Sequence, residues 1–107
     1  MTLAVMQPYF FPYIGYFQLI HAADRFVLAD EVQYIRHGWI NRNRILKPSG
    51  GNQYLIVPVA KHHYKSKIGS VYIAKGQDWK AEIYKKLSIY KKAPEYNNIV
   101  DLIQDCI

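Results

Sequence analysis

The stretch TLAVMQPYFFPYIGYFQLIHAADRFVLA, residues 2–29, decides the fold. Residues 2–6 and 25–29 each contain a continuous apolar run, which is typical of strands in a parallel sheet that is covered on both faces. Two prolines predict a loop over residues 7–12, because proline removes a backbone donor and keeps the preceding residue extended. Residues 13–23 have helical spacing. This order of strand, loop, helix and strand predicts a βαβ unit.

The helix of this unit is predicted from an apolar stripe. Four side chains recur at i, i+3, i+4 and i+7, the spacing of one face of an amphipathic helix. They are Tyr13, Tyr16, Phe17 and Ile20. Gly15 lies within the same stretch, where glycine costs about 1 kcal/mol relative to alanine. We therefore expect Gly15 to allow a close approach of the backbone or of a ligand.

A β-hairpin is predicted in the middle of the chain. Residues 40–47 and 53–59 have strand character, and they flank the turn sequence PSGG at residues 48–51. Residues 71–73 predict a further short strand. The sequence thus predicts extended structure on both sides of a basic loop over residues 60–66.

Two C-terminal helices complete the prediction. The first has Asp78 as its N-cap and an ion pair between Glu82 and Lys86, one turn apart. The apolar positions are Trp79, Ile83, Leu87 and Tyr90 in the first helix and Ile99, Leu102, Ile103 and Cys106 in the second. The second stripe continues to the end of the chain. This pattern indicates either a chain that is cut short or a helix that docks on a partner chain or a second copy.

Composition limits the classes of function. The 107 residues suit one domain, and the half-hydrophobic composition is typical of a globular protein. A single cysteine excludes an internal disulfide and a cysteine zinc site, which fits a reducing, cytoplasmic compartment. No run of about 18 apolar residues and no secretory signal is present, so no membrane span is expected. The net charge of +6 is carried mostly by lysines that are separate from the aromatics, so nucleic acid is not a favoured partner.

The first candidate site is the aromatic loop after the first strand. Ligands of open α/β sheets bind at the carboxyl ends of the strands, where Gln7 follows the first strand. The rings of Tyr9 and Tyr13 are suited to stacking on a base or a sugar. The loop has no glycine-rich phosphate cradle, which excludes a P-loop and a GxGxxG fingerprint. The alternative is that the aromatics pack the core and that Gln7 caps the loop.

The second candidate site follows the second strand. Asp30 is predicted to lie at the same sheet edge as Gln7, where a carboxylate can bind a ribose hydroxyl, a metal or an amine, or act as a base. Gln33 lies in the same segment. No cluster has convincing metal-ligand spacing, because adjacent His62 and His63 point in different directions. No metal site is therefore predicted, and no cofactor is identified.

The third candidate site lies at the start of the predicted hairpin. Arg42 and Arg44 share one face of a strand, and Asn43 lies on the other. Two arginines on one face suit a phosphate or a diphosphate, and the alternative is a solvated strand face. His37 has the chemistry of a general base at neutral pH, although a lone loop histidine is more often structural.

These segments resemble the WbqC-like protein family of bacteria. The resemblance is carried by QPYFFPYIGYFQLI at residues 7–20 and by RFVLADEVQYIRHGWINRNRI at residues 25–45. It continues through VPV at residues 57–59 and YKKAP at residues 90–94. It covers essentially the whole chain and matches the N-terminal half of members that are about twice as long. The family positions that this chain matches are Gln7, Tyr9, Tyr13, Asp30, Gln33, Arg42, Asn43 and Arg44.

A second similarity concerns the fold. The order of the first elements is similar to that of nucleotidylyltransferases of the HIGH type, which supports a Rossmann-like sheet with a ligand at its edge. Residues 12–17 contain no histidine, which argues against the phosphate chemistry of that family. The predicted fold is a single α/β domain over residues 1–107. It has a Rossmann-like βαβ start, a mostly parallel sheet, a β-hairpin and C-terminal helices.

The resemblance to the WbqC-like family implies a transferase of surface-polysaccharide (O-antigen, lipopolysaccharide) biosynthesis. The transferred group would be acyl or glycyl, and the acceptor a nucleotide-linked amino sugar. In this hypothesis the aromatic loop binds the sugar or base, Arg42 and Arg44 bind the diphosphate, and Asp30 or His37 takes a proton from the attacking amine. The alternative is a non-catalytic nucleotide- or sugar-binding module that acts with a partner chain.

Overall fold

The computed structural model describes all 107 residues. The chain begins with the predicted βαβ unit. Its elements are strand β1 (Leu3–Met6), helix α1 (Ile14–Ala22) and strand β2 (Arg25–Leu28). The two strands pair in parallel with Leu3 opposite Arg25, and the N–H of Ala29 extends the ladder by donating to the Met6 carbonyl (2.8 Å). The carboxyl ends of both strands therefore meet at one edge.

The predicted hairpin is also present. Strands β3 (Arg42–Leu46) and β4 (Asn52–Ile56) pair antiparallel around a turn in which Gly50 and Gly51 have φ values of 92° and 75°. A side chain at either position would be strained, which is why this turn uses glycine. The hairpin forms a sheet of its own beside the two-stranded parallel sheet. The fold is thus α/β with a parallel pair, an antiparallel hairpin and C-terminal helices.

The strand expected over residues 71–73 is reduced to one bridge. Val59 faces Ile73, and two backbone bonds join residues 58–60 to residues 72–74. The N–H of Ala60 donates to the Tyr72 carbonyl, and that of Ala74 to the Pro58 carbonyl. Pro58 has no N–H group to add to this pairing, so it stays short.

Helices α2 (Trp79–Leu87) and α3 (Tyr96–Cys106) follow, and 3-10 turns occupy Ile68–Ser70 and Ser88–Tyr90. Asp78 caps α2, because its Oδ1 accepts from the N–H of Ala81 (3.2 Å), as predicted. The predicted Glu82–Lys86 pair is present at 3.9 Å. None of these helices combines the length and the hydropathy that crossing a bilayer requires.

The hydrophobic core lies between the hairpin and α2. Its four buried members come from β4, the residue after it, and α2; they are Leu55, Val57, Ile83 and Leu87. Half-buried side chains from the aromatic loop, β3 and the C-terminal elements pack against them; they are Phe10, Phe11, Ile45, Trp79, Tyr90 and Ile103. The aromatic loop is therefore part of the core of the hairpin as well as of the βαβ unit.

The stripe predicted for α3 faces inward only in part. Ile103 packs against the core, but Ile99 and Leu102 are 50% and 57% exposed, and Cys106 is exposed as well. Ile99 and Ile103 line an apolar cavity of about 220 Å³ together with Tyr96 and Val100, which were not in the predicted stripe. Since successive helical residues are rotated by about 100°, spacing alone does not determine which of two apolar stripes meets the core.

Helix α1 covers only one face of the parallel sheet, so the expectation of a sheet covered on both faces is wrong. On the opposite face, the side chains of Leu3, Val5 and Val27 are about half exposed. Of the stripe predicted for α1, only Tyr16 is buried, and Phe17 remains 55% exposed. The helix packs through this one ring because Tyr16 meets Phe26 of β2 edge-on at 5.5 Å.

The chain is more open than a closed domain of its size. Its accessible surface is 8060 Å², whereas a compact monomer of this mass has about 6,200 Å². Its radius of gyration is 15.4 Å, against about 13 Å for a compact chain of this length. The exposed surface includes apolar side chains on one face of the parallel sheet and on the outer face of α3.

Tyr16 provides a test of how the βαβ unit is held. Its hydroxyl donates to the Gln7 carbonyl (2.8 Å), and burial, with a smaller contribution from Tyr9, raises its pKa. We expect Tyr16→Phe to lower the free energy of unfolding by about 1 kcal/mol, because the carbonyl loses its donor. That corresponds to a fall in the thermal midpoint of about 4–8 °C. Tyr72→Phe is the control, since Tyr72 is 76% exposed. Equal midpoints for the two variants would contradict the role of this bond.

Candidate functional site

The aromatic loop is fixed to the hairpin by one side chain. Asn43 Nδ2 donates to the carbonyls of Phe10 (3.3 Å) and Phe11 (2.6 Å), and the N–H of Phe10 donates to the Trp39 carbonyl (3.3 Å). Phe11 has a φ of 47°, a conformation that bulky residues adopt only when their surroundings enforce it. Asn43 therefore positions the loop along the edge of β3.

The side chains of the aromatic loop divide between the core and a pocket. Phe10 and Phe11 pack against the core. Tyr9 and Tyr13 line a pocket instead. The backbone carbonyl of Gln7 is used by Tyr16 within the fold. The loop thus supplies both part of the core and part of the lining of a pocket.

The first pocket, here called the aromatic pocket, has a volume of about 250 Å³. It is lined by Tyr9, Pro12, Tyr13, Trp39, Asn43 and Arg44. The guanidinium carbon of Arg44 lies 5.3 Å from the centre of the Trp39 ring. Four of the predicted substrate-binding residues are therefore brought together. Trp39 was not among the predicted residues, although a tryptophan three residues before an arginine-rich strand is a signal that could have identified it.

The ring of Tyr13 depends on Gly15 for its place in the aromatic pocket. A Cβ atom at position 15 would overlap the Tyr13 ring, so the expected close approach at this glycine is made by an aromatic side chain. Tyr13 is 66% exposed, so its ring is free to rotate away if a methyl group is added there. Gly15 thus controls one wall of the aromatic pocket.

A second pocket, here called the arginine–histidine pocket, has a volume of about 390 Å³. Its polar lining is Tyr34, Arg36, His37, Asn41, Arg42 and His62, and the rest is apolar. No aspartate or glutamate lines it. The predicted residues His37 and Arg42 meet here with four polar residues that sequence reasoning did not assign to a site.

Arg42 is held in a fixed orientation within this pocket. Its Nε donates to the Gly38 carbonyl (3.2 Å) and its Nη2 to the His37 carbonyl (2.5 Å). Its guanidinium carbon lies 4.5 Å from the centre of the Tyr54 ring. His37 itself has a φ of 61°, so the turn that Arg42 holds is a strained one.

Arg42 and Arg44 share one strand face, as predicted, but they line different pockets. Tyr54 lies directly opposite Arg44 in the hairpin register, and its ring supports Arg42. Each guanidinium group therefore rests on a different aromatic ring, Tyr54 or Trp39. The structure does not gather the two arginines around one ligand-sized space.

The floor of the arginine–histidine pocket is aromatic. Tyr34 is 5% exposed and meets the ring of His62 edge-on at 4.9 Å. Burial raises the pKa of Tyr34, and the charges of Arg36 and Arg42 partly oppose this rise. His62 Nδ1 lies 2.9 Å from the Ala60 carbonyl, which accepts a hydrogen bond from it, and His62 Nε2 is buried without a partner.

A sequence model of the WbqC-like protein family matches residues 7–107. The chain belongs to this family. It is also 38% identical over 101 residues to the uncharacterized protein Rv1507c of Mycobacterium tuberculosis (strain ATCC 25618 / H37Rv). That match covers 92% of this chain and 43% of the relative, so the chain spans less than half of the relative's length. No solved structure matches the chain.

Three predicted residues of this WbqC-like chain, Gln7, Asp30 and Gln33, lie outside both pockets. The Asp30 carbonyl accepts from the N–H of Gly69 (2.8 Å), and its carboxylate lies beside the same glycine. Gln33 Nε2 donates to the Tyr64 carbonyl (2.9 Å). Their segment pairs with residues 64–70, since Gln33 also forms a backbone bridge with Lys67. In this structure Gln33 contributes to loop packing, and Asp30 is exposed at the carboxyl end of β2.

Asn43 allows a direct test of the junction between the aromatic loop and the hairpin. We expect Asn43→Ala to lower the free energy of unfolding by about 2 kcal/mol, because two part-buried carbonyls lose their donor. Urea unfolding followed by tryptophan fluorescence measures this change. Asn52→Ala is the matched control, because Asn52 is exposed on the other strand of the hairpin. A loss for Asn43→Ala no larger than for the control would show that the clamp is dispensable.

Proposed function

We propose that this WbqC-like chain binds a nucleotide-linked amino sugar and acts in acyl or glycyl transfer to it. The setting would be cytoplasmic biosynthesis of a bacterial surface polysaccharide, such as the O-antigen of lipopolysaccharide. One observation carries the proposal: the aromatic pocket and the arginine–histidine pocket are lined by neighbouring residues of a single segment, 36–44. A ligand with an aromatic or sugar ring at one end and an anionic group at the other would span both.

The aromatic pocket is suited to the ring of such a ligand. Trp39 and Tyr13 are 40% and 66% exposed, and they present ring surface beside the cationic Arg44. Stacking of one base on an aromatic side chain contributes about 1–3 kcal/mol, and amphipathic rings tolerate the hydroxyl groups of a sugar. Binding of the nucleoside or sugar is therefore assigned to this pocket.

The transfer step needs a base, and His37 is the residue we assign to it. The amine nitrogen of the sugar attacks the carbonyl carbon of the donor, the bond from that carbon to the leaving group breaks, and the nitrogen loses a proton. Histidine accepts protons near neutral pH. His37 lines the arginine–histidine pocket, whereas Asp30 lies outside both pockets. His37 is therefore preferred to Asp30 as the acceptor of this proton.

Thermal unfolding with a ligand panel tests the proposal. The panel contains UDP- and dTDP-linked amino sugars, ATP, acyl-CoA and glycine. A ligand at about 100 times its Kd adds about 2.7 kcal/mol of stability. This raises the midpoint of a domain of this size by about 10 °C or more. We expect a shift with an amino sugar nucleotide and a much smaller one with glycine alone.

Two variants locate the binding. Trp39→Ala removes one wall of the aromatic pocket, and Gly15→Ala displaces the Tyr13 ring while raising helix propensity by about 1 kcal/mol. Both should reduce the ligand-induced shift, and Gly15→Ala should do so without loss of stability. Tyr72→Ala, at a 76% exposed position outside both pockets, is the control. A full ligand shift in both pocket variants would rule out the aromatic pocket as the site.

A second candidate function is a binding module that works only as an assembly with a second copy of itself. The large accessible surface of the chain favours this candidate. It exceeds that of a compact monomer of the same mass by about 1,900 Å², and a standard interface buries about 800 Å² of each partner. Ile99 and Leu102 of α3 belong to this surface. Two neighbouring positions on a helix that are both apolar and half exposed are suited to contact with an equivalent helix.

The oligomeric state, measured by sedimentation, tests this second candidate. We expect the chain to sediment as a dimer, and Leu102→Glu to shift it toward monomer by placing a charge in the interface. Gln104→Glu adds the same charge at an exposed polar position of α3 and should leave the dimer intact. A stable monomer that turns over substrate would exclude this reading.

A further inference from the structure

The arginine–histidine pocket holds an excess of hydrogen-bond donors. Its polar lining contains two arginines, two histidines, an asparagine and a tyrosine, and no carboxylate. By contrast, the lysine-lined groove beside α2 contains Glu82, which pairs with Lys86. That pair is the one ion pair of the chain, so neither arginine of the pocket is neutralised by an acid.

Arg42 is organised in advance for an anion. A guanidinium group carries five N–H bonds. Two of these N–H bonds donate to the carbonyls of Gly38 and His37, so three remain free. The ring of Tyr54 packs against the face of the guanidinium group. Because the group is already held by its own turn, binding an anion costs little further side-chain entropy.

Tyr34 adds a donor that no group of the chain uses. The residue is 5% exposed and lines the pocket, and its hydroxyl has no hydrogen-bond partner in the chain. The buried polar atom of this pocket that lacks a partner is His62 Nε2, and such an atom costs stability unless a ligand satisfies it. The charges of Arg36 and Arg42 both act on the pKa of Tyr34, so both guanidinium groups lie within electrostatic reach of its hydroxyl.

We propose that the arginine–histidine pocket is a phosphate-binding site in which Arg36, Arg42 and Tyr34 hold the diphosphate of the ligand. Donors from three separate chain positions converge here, which suits a diphosphate, with four free oxygens on its two phosphorus atoms, better than a planar carboxylate with two. The assignment replaces the pairing of Arg42 with Arg44, whose guanidinium belongs to the aromatic pocket. For its natural ligand it rests on the proposed function, but its anion chemistry is testable alone.

Calorimetric titration with inorganic diphosphate is the test, with acetate at equal ionic strength as the comparison. We expect diphosphate to bind and acetate not to bind. Arg36→Gln should weaken diphosphate binding about tenfold and Tyr34→Phe about fivefold, the losses expected for single charged and neutral hydrogen bonds. Neither change removes a hydrogen bond within the chain, so both variants should keep the wild-type unfolding midpoint. Arg44→Gln and Arg25→Gln, which alter charge outside the pocket, should stay within twofold of wild type.

Several outcomes would overturn the assignment. Equal losses for Arg36→Gln and Arg44→Gln would place the anion along the strand face instead. Equal losses for Arg25→Gln as well would indicate attraction by net charge alone. If an amino sugar nucleotide binds with a dependence on Trp39 but not on Arg36, the phosphate site is wrong while the proposed function stands. If diphosphate binds as expected but no sugar nucleotide does, the phosphate site stands and the proposed function fails.

Discussion

The amide of Asn43 is the contact on which the arrangement of this chain depends. The loop before α1 contains two prolines, which remove two backbone donors, so it cannot form a continuous ladder. Its carbonyls at Phe10 and Phe11 are satisfied together by Asn43 Nδ2. Because both carbonyls face β3, the two phenylalanine rings enter the core beside Leu55. One side chain thus joins the βαβ unit to the hairpin and compensates for a residue held at positive φ.

The same junction explains why two pockets arise from one segment. Residues of a strand two apart lie about 7 Å from each other on one face, which is far enough for Arg42 and Arg44 to rest on different rings. The N–H of Phe10 donates to the Trp39 carbonyl and holds Trp39 beside the aromatic loop, and the guanidinium group of Arg44 packs on the Trp39 ring. Arg42 instead donates to the carbonyls of His37 and Gly38, in the turn before its own strand. The pockets therefore have different chemistry, aromatic in one and rich in donors in the other, although they share a strand.

Local patterns could be predicted from the sequence, and long-range partners could not. The βαβ unit and the hairpin follow from apolar runs, prolines and a glycine turn, all of which act over a few residues. Helical spacing placed α1 and α3 but predicted only part of the face that each buries, because that face depends on which neighbour is present. Tyr34 and His62 meet through the pairing of residues 32–34 with 66–68, so nothing in either local sequence marks them as a pair. The aromatic pocket was largely foreseeable, since Tyr9, Tyr13 and Arg44 are all conspicuous residue types in loops or strand ends.

The exposed apolar surfaces and the two pockets lie on different parts of the chain, so assembly with a partner would not compete with ligand binding. The exposed face of the parallel sheet is formed by Leu3, Val5 and Val27, and none of these lines either pocket. The outer residues of α3 do not line them either. A partner that covered these faces would therefore leave both pockets open to a ligand. It would also remove apolar surface from water at about 25 cal/mol per Å². Assembly would then stabilise the β1–β2 pair, whose carboxyl ends lead into the aromatic loop and into Asp30. Such a partner would stabilise the aromatic loop that Asn43 holds, and with it the walls of the pockets, without contributing a residue to them.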